Sequence, residues 1–290
     1  MGKDSSSRRD NNAEKIVLFK KNGYEIFEDT KSKIRFANLS NIDKHLETVY
    51  SDNYFFEGGA GYPNYLDEKE ALYNSGIKYA KILEKYTSPG RVLDVGCAAG
   101  FYLKGFEKCG WNCFGVEPND TMASYGRKEL NLNIVTGDLE TFKTDEKFDL
   151  INLIEVIGSF HDINTAMQNV ENLLKTNGLV LVESWDVNSK VARFFGKSWH
   201  EYCPPSVIRW FSDKTLTNLF NDYGFELIGK GRPSKKIKGK HALEIISKNT
   251  PKFFLKNSIF NFFNSILGKA TLTYPPLDLK WYIFKKTGDN

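Results

Sequence analysis

The chain has 290 residues, of which 41% are hydrophobic and 26% charged, a balance that suits one large globular core or two small ones and excludes a disordered or fibrous protein. Its longest apolar runs, such as 150–154 and 179–182, fall far short of the roughly 20 residues that span a bilayer, so a transmembrane helix is excluded. The net charge of +4 hides an asymmetry: from Gly229 to Asn290 Lys and Arg outnumber Asp and Glu 13 to 3, against 27 to 33 upstream, leaving +10 on the tail and −6 elsewhere.

Residues 1–13 are polar and predict a disordered tail. They lack the apolar run of a secretory signal, and Asp4 and Asp10 do not suit a transit peptide. Gly2 and Ser6 fit the short N-myristoylation pattern, which arises readily by chance. The four cysteines, Cys97, Cys109, Cys113 and Cys203, form no CxxC pair and have no His at zinc spacing; no metal is expected, and the setting expected is reducing and cytoplasmic.

Residues 14–88 read as a cap and lid layer. A hairpin is expected around KKNGYEIFED, followed by the Tyr/Phe/Gly-rich stretch NYFFEGGAGYPNYL and a helix from about Glu68 to Tyr86. From Arg91 the pattern changes to short apolar runs separated by amphipathic segments. RVLDV, CFGVE, NIVTGD, FDLINLIE and LVLVESW suit strands buried on both faces, while Ala166, Val170, Leu173 and Leu174 carry helical spacing. This alternation predicts a doubly wound α/β core over 89–290, with an acceptor-side insertion at about 187–212. DKTLTNLFNDYGFELIG then predicts a helix, a turn and a strand, and KWYIFKK a last strand.

Within that core, VLDVGCAAGFYL reads as a strand, a glycine-bearing turn and a helix start. Such a turn lies at the carboxyl ends of the strands, where open α/β sheets bind ligands. Gly96 and Gly100 are four residues apart, with Ala98 between them and no third glycine following, so G-x-G-x-x-G and pyrophosphate binding are disfavoured. No Gly-Lys-Ser/Thr follows either, which removes a P-loop. Asp94, just ahead of the first glycine, would repel phosphate and attract an ammonium group. Glu117, 23 residues later at the end of the next strand, stands where a carboxylate accepts hydrogen bonds from both ribose hydroxyls. Ribose joined to a cationic amino acid is the outline of S-adenosylmethionine.

RVLDVGCAAG, GVEPN, TGDLE, FDLINLIEV and LLKTNGLVLVE occur in an order and spacing that resemble the class I S-adenosylmethionine-dependent methyltransferases, over about Arg91 to Ser184. The resemblance implies a Rossmann-like, seven-stranded, mostly parallel sheet. It also implies that Asp94, Gly96, Cys97, Ala98 and Gly100 form the loop beneath the methionine part and that Glu117 holds the ribose. Asp138 would accept the adenine amino group, the backbone at Leu139 would meet the ring edge, and Ile154 and Glu155 would line the site. Two departures stand out. Ala98 replaces a frequent Gly, and EVIGSFHD has Gly158 and Ser159 where relatives often carry Glu-His, which puts in doubt any mechanism using that histidine or a metal there. The lid stretch resembles amino-terminal segments of some small-molecule methyltransferases, with Tyr54, Tyr62 and Tyr65 placed to close over the cofactor. Some relatives begin with a zinc ribbon; EIFEDTKSKIRF takes that place without a cysteine.

On the acceptor side, methyl transfer needs mainly an aligned nucleophile, with a general base adding rate when the acceptor is a hydroxyl. His200, in KSWHEYCPPSVIRWF, ranks first as base and His161 second; Tyr62, Trp199, Tyr202 and Arg209 are the expected acceptor contacts. In the tail, the basic run GKGRPSKKIKGK reads as a solvated loop or a phosphate contact, and 252–268 as an amphipathic helix that packs on the core or touches a membrane surface. The expectation is O-methylation of a small molecule such as a sugar or glycan intermediate. An RNA methyltransferase, prompted by the basic tail, and a non-catalytic cofactor-binding scaffold are the rivals, and no recognised RNA-binding module is visible.

Overall fold

The structure is a computed structural model and describes residues 14–39, 45–47, 50–56, 64–233, 235–238, 271–274 and 277–288. The tail at 1–13, Tyr62 and the amphipathic segment at 252–268 lie outside the described residues. The expected hairpin forms: β1 (Lys15–Lys21) and β2 (Tyr24–Asp29) pair antiparallel around Asn22 and Gly23. Both turn residues have positive φ, 51° and 84°, as tight hairpin turns require. β3 (Arg35–Ala37) adds to β2. The segment expected to form the lid supplies a short α1 (Asp52–Phe56), a 3-10 turn at Tyr65–Glu68 and α2 (Lys69–Leu83).

The core follows as β4 (Arg91–Val95), α3 (Phe101–Lys108), β5 (Asn112–Glu117), α4 (Asp120–Leu130), β6 (Asn133–Thr136), β7 (Phe148–Ile154), α5 (Ile163–Leu173) and β8 (Leu174–Trp185). Beyond it lie α6 (Lys190–Phe195), β9 (Arg209–Trp210), α7 (Asp213–Asp222), β10 (Phe225–Gly231), β11 (Lys235–Lys238), β12 (Thr271–Tyr274) and β13 (Leu279–Lys286). Seven strands form the main sheet in the order β10-β13-β8-β7-β4-β5-β6. β4 to β8 run parallel and β13 lies antiparallel between β8 and β10. This is the expected doubly wound, mostly parallel sheet. The chain moves outward from β4 to β6 and then returns to place β7 on the other side of β4. That reversal opens a crevice above the carboxyl ends of β4 and β7, where such sheets bind ligands.

The strands are apolar on both faces because each face is covered. Leu150 packs with Leu103, Leu181 and Ile283 on one side, while its neighbour Ile151 packs with Phe148, Val170 and Val180 on the other. Helix ends obey local chemistry: the Asn119 side chain accepts from Met122 N, and Ser212 and Thr215 form a capping box at α7.

Three expectations change. Leu174 belongs to β8 and not to the preceding helix; its ψ of 143° is extended, so the chain passes from helix to strand with no linking turn. Part of the basic run, 235–238, is a strand paired with β12 where a loop was expected. The cap hairpin and the 187–212 insertion are joined in one four-stranded sheet, β1-β2-β3-β9, through the pairs Arg35 with Trp210 and Phe36 with Arg209.

Candidate active site

The turn after β4 is held to the next strand by its own backbone. Gly96 N donates to Val116 O at 2.8 Å and Ala98 N to Glu117 Oε2 at 2.7 Å. The backbone is left-handed at Gly96 (φ 64°), Ala98 (48°) and Gly100 (82°). A Cβ on Gly96 would sit 2.7 Å from Val156 Cγ1, so glycine is required there by conformation and by space. Ala98 holds the same region of φ with a side chain, at a cost of about 1–2 kcal/mol, which explains why glycine is common at that position. Gly100 does not line the crevice; it starts α3 where a Cβ would meet Leu132 at 2.4 Å.

A cleft of about 1140 Å³, including its mouth, lies over this turn. Asp94, Gly96, Cys97, Ala98, Glu117, Asp138, Leu139, Ile154 and Glu155 all line it, so nine of the ten residues nominated for the cofactor come together. Glu140 and Tyr50 line it too, without having been nominated.

Five carboxylates, on Asp94, Glu117, Asp138, Glu140 and Glu155, face this cleft, and no Lys or Arg is among its described lining residues. Asp94 and Glu117 are both 3% exposed. Burial pushes each up to about 7, and Asp94 is raised further by Glu117 although Asn152 beside it works the other way. A carboxylate carries about four acceptor sites. Glu117 uses two, for Ala98 N at 2.7 Å and Asn119 N at 2.8 Å, and Asp138 commits Oδ1 to Thr141 N and Oγ1. Acceptors therefore remain for a diol and for an amine. Buried acids with no Lys or Arg among the described lining residues suit a positively charged ligand and oppose phosphates.

The segment at 50–56 is tied to this site through Asn119. Its Nδ2 donates to Tyr50 O and to Asp52 Oδ1, both at 2.9 Å, while its Oδ1 caps α4. Thr121 adds a bond to Asp52 Oδ2 at 3.1 Å. Tyr54, Phe55 and Tyr65 line the cleft, and Tyr65 stacks on Phe101 at the start of α3. Burial, then the charges of Asp138, Glu140 and Glu117, raise the Tyr50 hydroxyl above its ordinary value. Behind the lid, buried His45 places Nε2 2.8 Å from Ser159 O and its other ring nitrogen on Pro205 O.

The profile of the methyltransferase-domain family matches residues 70–230, more than half of the chain. The chain belongs to that family. The methyltransferase domain is thus assigned by sequence over the span that carries the cleft, and S-adenosylmethionine is the cofactor of the class I family that the motifs resembled. A ubiquinone biosynthesis O-methyltransferase of Bradyrhizobium diazoefficiens is 24% identical over 146 residues, covering 43% of this chain and 58% of that protein. An (S)-coclaurine N-methyltransferase of Papaver somniferum is 30% identical over 129 residues, 41% of this chain and 35% of that protein. The chain spans about half the length of the curated relatives it matches, or less. Among solved structures, a magnesium protoporphyrin IX methyltransferase from Synechocystis PCC 6803 with bound SAH shares the fold at 11% identity. The match covers 86% of this chain and 95% of that one, with a TM-score of 0.51. A methyltransferase from Archaeoglobus fulgidus does so at 16% identity, 77% and 99% coverage and a TM-score of 0.51.

The residues nominated for the acceptor are more scattered. Trp199 is fully buried and donates from Nε1 to Asp278 Oδ2 at 2.9 Å; Tyr202, 2% exposed, accepts from Arg35 at 2.7 Å. Both belong to the packing between the insertion and the cap sheet, away from the cleft lining. Arg209 is spent on backbone, donating to Phe160 O and, at 3.1 Å, to His161 O. His200 packs edge-on against Trp185 with ring centroids 4.7 Å apart and does not line the cleft. His161 does not line it either, but its Nδ1 lies 3.0 Å from Oε1 of the lining residue Glu140. At the positions where relatives often carry Glu-His, Gly158 O accepts from Ile208 N and Arg209 N, and Ser159 Oγ donates to Ser206 O at 3.0 Å. Among the described residues no group of three or more His, Cys, Asp or Glu is placed to hold a metal ion.

Proposed function

We propose that this chain transfers a methyl group from S-adenosylmethionine to an oxygen of a neutral small molecule of the sugar or glycan-intermediate kind. The observation that carries the reading is the set of carboxylates at the switch point of the sheet, Asp94 and Glu117 buried among them, with no Lys or Arg among the described lining residues. In this reading Asp94 faces the methionine ammonium, the turn at 96–98 lies beneath it, Glu117 takes the ribose hydroxyls, and Asp138 and Leu139 take the adenine edge. When bound, the cofactor supplies an electrophilic methyl on a sulfonium. The protein's part is to hold the acceptor in line with that carbon and to exclude water beneath Tyr50, Tyr54 and Tyr65.

The acceptor class follows from what is left over. Glu140, and Glu155 at the end of β7, stand beyond the groups given to ammonium, ribose and adenine, and the cleft wall adds aromatic rings. Carboxylates that accept from hydroxyls beside rings that cover apolar faces suit a neutral polyol, and the absence of Lys and Arg in the described lining opposes a phosphate-bearing acceptor. Glu155 sits at the end of β7 with φ 59°, a strained conformation for a side-chain-bearing residue and one that clusters at functional sites. Of the two nominated histidines, His161 is the proposed proton acceptor, because Glu140 ties it to the cleft wall.

Calorimetry with S-adenosylmethionine tests the cofactor half: tight, stoichiometric binding is expected, and preference for NAD or ATP would overturn the reading. Incubation with cofactor and a metabolite extract, followed by mass spectrometry for the gain of one methylene, tests the transfer. No labelled product with bound cofactor would favour a non-catalytic scaffold. Gel-shift binding of RNA with a steep salt dependence would favour a nucleic-acid acceptor.

A further inference from the structure

A surface feature away from the cleft carries chemistry that the fold does not use. α6 ends in an aromatic pair turned outward: Phe194 is 83% exposed and Phe195 45%, with ring centroids 5.2 Å apart at right angles. Phe194 is the most exposed large hydrophobic side chain among the described residues. The base of this helix is firmly seated. Ser189 caps it by accepting from Ala192 N at 2.9 Å, Ala192 is buried, and Val191 packs against the cluster of Trp199, Tyr202 and Trp210. The rings are therefore held out by a packed support and are not merely the end of a loose loop. Gly196, at φ 52° with open space around its Cβ position, turns the chain immediately afterwards, and 193–198 are all exposed.

Along the chain the charge around the pair has one sign. Lys190, Arg193 and Lys197 are exposed, and no Asp or Glu occurs from Val187 to His200. Lys21, at the end of β1, donates to Lys197 O at 3.2 Å and adds a fourth cation. α6 follows β8 directly at the carboxyl edge of the sheet, the edge on which the cleft opens. Surface-binding segments bury Phe, Trp and Leu at the boundary of headgroups and acyl chains, and a cation near an anionic bilayer gains about fivefold in partitioning. An apolar wedge and a basic rim are two weak signals of the kind that together give reversible attachment.

We propose that the 190–197 protrusion docks the protein on an anionic lipid bilayer, with Phe194 and Phe195 entering the interface and Lys190, Arg193, Lys197 and Lys21 facing the headgroups. The test sediments the full chain with vesicles of phosphatidylcholine plus phosphatidylglycerol and with vesicles of phosphatidylcholine alone. Wild type is expected to pellet with the anionic vesicles, to be released by high salt, and to stay in solution with the neutral ones. Phe194→Ser/Phe195→Ser should lose at least about tenfold in partitioning, and Lys190→Glu/Arg193→Glu/Lys197→Glu about a hundredfold, each keeping its melting temperature and its affinity for S-adenosylmethionine. Equal pelleting of the wild type and the serine variant would assign any membrane contact to another surface and overturn the proposal. So would a wild-type dimer that becomes a monomer in the serine variant by sedimentation velocity, because the occupant would then be a second copy of the chain.

Discussion

The two halves of this molecule are built by different kinds of rule. Along the turn after β4, each position answers to its near neighbours in sequence: a strand end, a left-handed turn, a helix start, and one carboxylate at the end of the following strand. Around the acceptor side, contacts span most of the chain. β3 meets β9 across Arg35 and Trp210, Arg35 bonds Tyr202, Trp199 bonds Asp278, and Lys280 bridges Asp186 and Asp213. A local motif announces its chemistry, whereas a long-range one announces only that some residues are aromatic or charged.

The largest effect expected on cofactor binding is therefore at Glu117. Its carboxylate holds two backbone amides of the turn at 2.7 and 2.8 Å and, in the proposed reading, the ribose as well. Charge-assisted bonds of this kind are worth about 1.5–3 kcal/mol each, so Glu117→Ala should weaken S-adenosylmethionine by at least about 100-fold in calorimetry. An unchanged affinity would place the cofactor elsewhere and dissolve the contrast between the halves. Next comes Trp199→Ala on the other side. With the ring fully buried and bonded to Asp278, loss of about 3–5 kcal/mol in denaturant unfolding is expected, with cofactor affinity per folded molecule unchanged. A folded, stable variant that had lost only acceptor affinity would return Trp199 to the binding role that its place in an aromatic loop suggested.

That reversal shows where sequence reading reaches its limit. The sheet and its class were legible, and nine of the ten residues nominated for the cofactor line one cleft, because strand ends and glycine turns are local signals. Trp199, Tyr202 and Arg209 were nominated because a loop rich in Trp, Tyr and Pro after the fifth core strand suggests a binding surface. The same residue types also fill a core, and which use prevails depends on β1 to β3, about 165 residues upstream. Glu140 and Tyr50 were missed for a related reason. Neither stands in a motif, and each becomes part of the cleft only when the lid and the loop after β6 converge. Leu174 carried helical spacing yet starts a strand, since an apolar residue at a helix end also suits a buried strand.

The two halves should also titrate differently. Asp94 and Glu117 are raised to about 7 by burial, whereas unfolded carboxyls ionise near 4. Between those values the native protein binds more protons than the unfolded chain, so the ligand-free protein loses stability as pH rises through about 7. A cationic ligand favours the ionised carboxylates, so cofactor affinity should rise over the same interval. Asp213 has the opposite sign: burial raises it, but bonds from Lys280 and Tyr282 outweigh that and hold it below its usual range. Its contribution is present above the unfolded value and is lost as pH falls into the acid range. Thermal melts with and without S-adenosylmethionine should therefore diverge as pH rises from about 5 to about 7 and run level above that, and a Glu117→Gln variant should flatten that divergence. A ligand-induced shift that did not change with pH would remove the carboxylate pair from the binding argument.

The smallest effect predicted lies at the seam between the halves. Asp52 is exposed on α1 and accepts from Asn119 Nδ2 at 2.9 Å and from Thr121 Oγ1 at 3.1 Å, so it ties the lid to α4 without lining the cleft. Asp52→Ala leaves Asn119 its cap on Met122 N and its bond to Tyr50 O, and melting should move little. Two bonds, one half-buried and one exposed, at about 0.5–1.5 kcal/mol each and partly replaced by water, set the expected rise in KM for S-adenosylmethionine at about three- to tenfold, with kcat within about twofold. If KM holds steady, the lid rests on the aromatic contacts of Tyr65 with Phe101 and Phe55, and Tyr65→Ala becomes the stronger variant. If kcat falls while KM does not, Asp52 positions the lid for the transfer step itself, and the seam belongs with the acceptor half of the molecule.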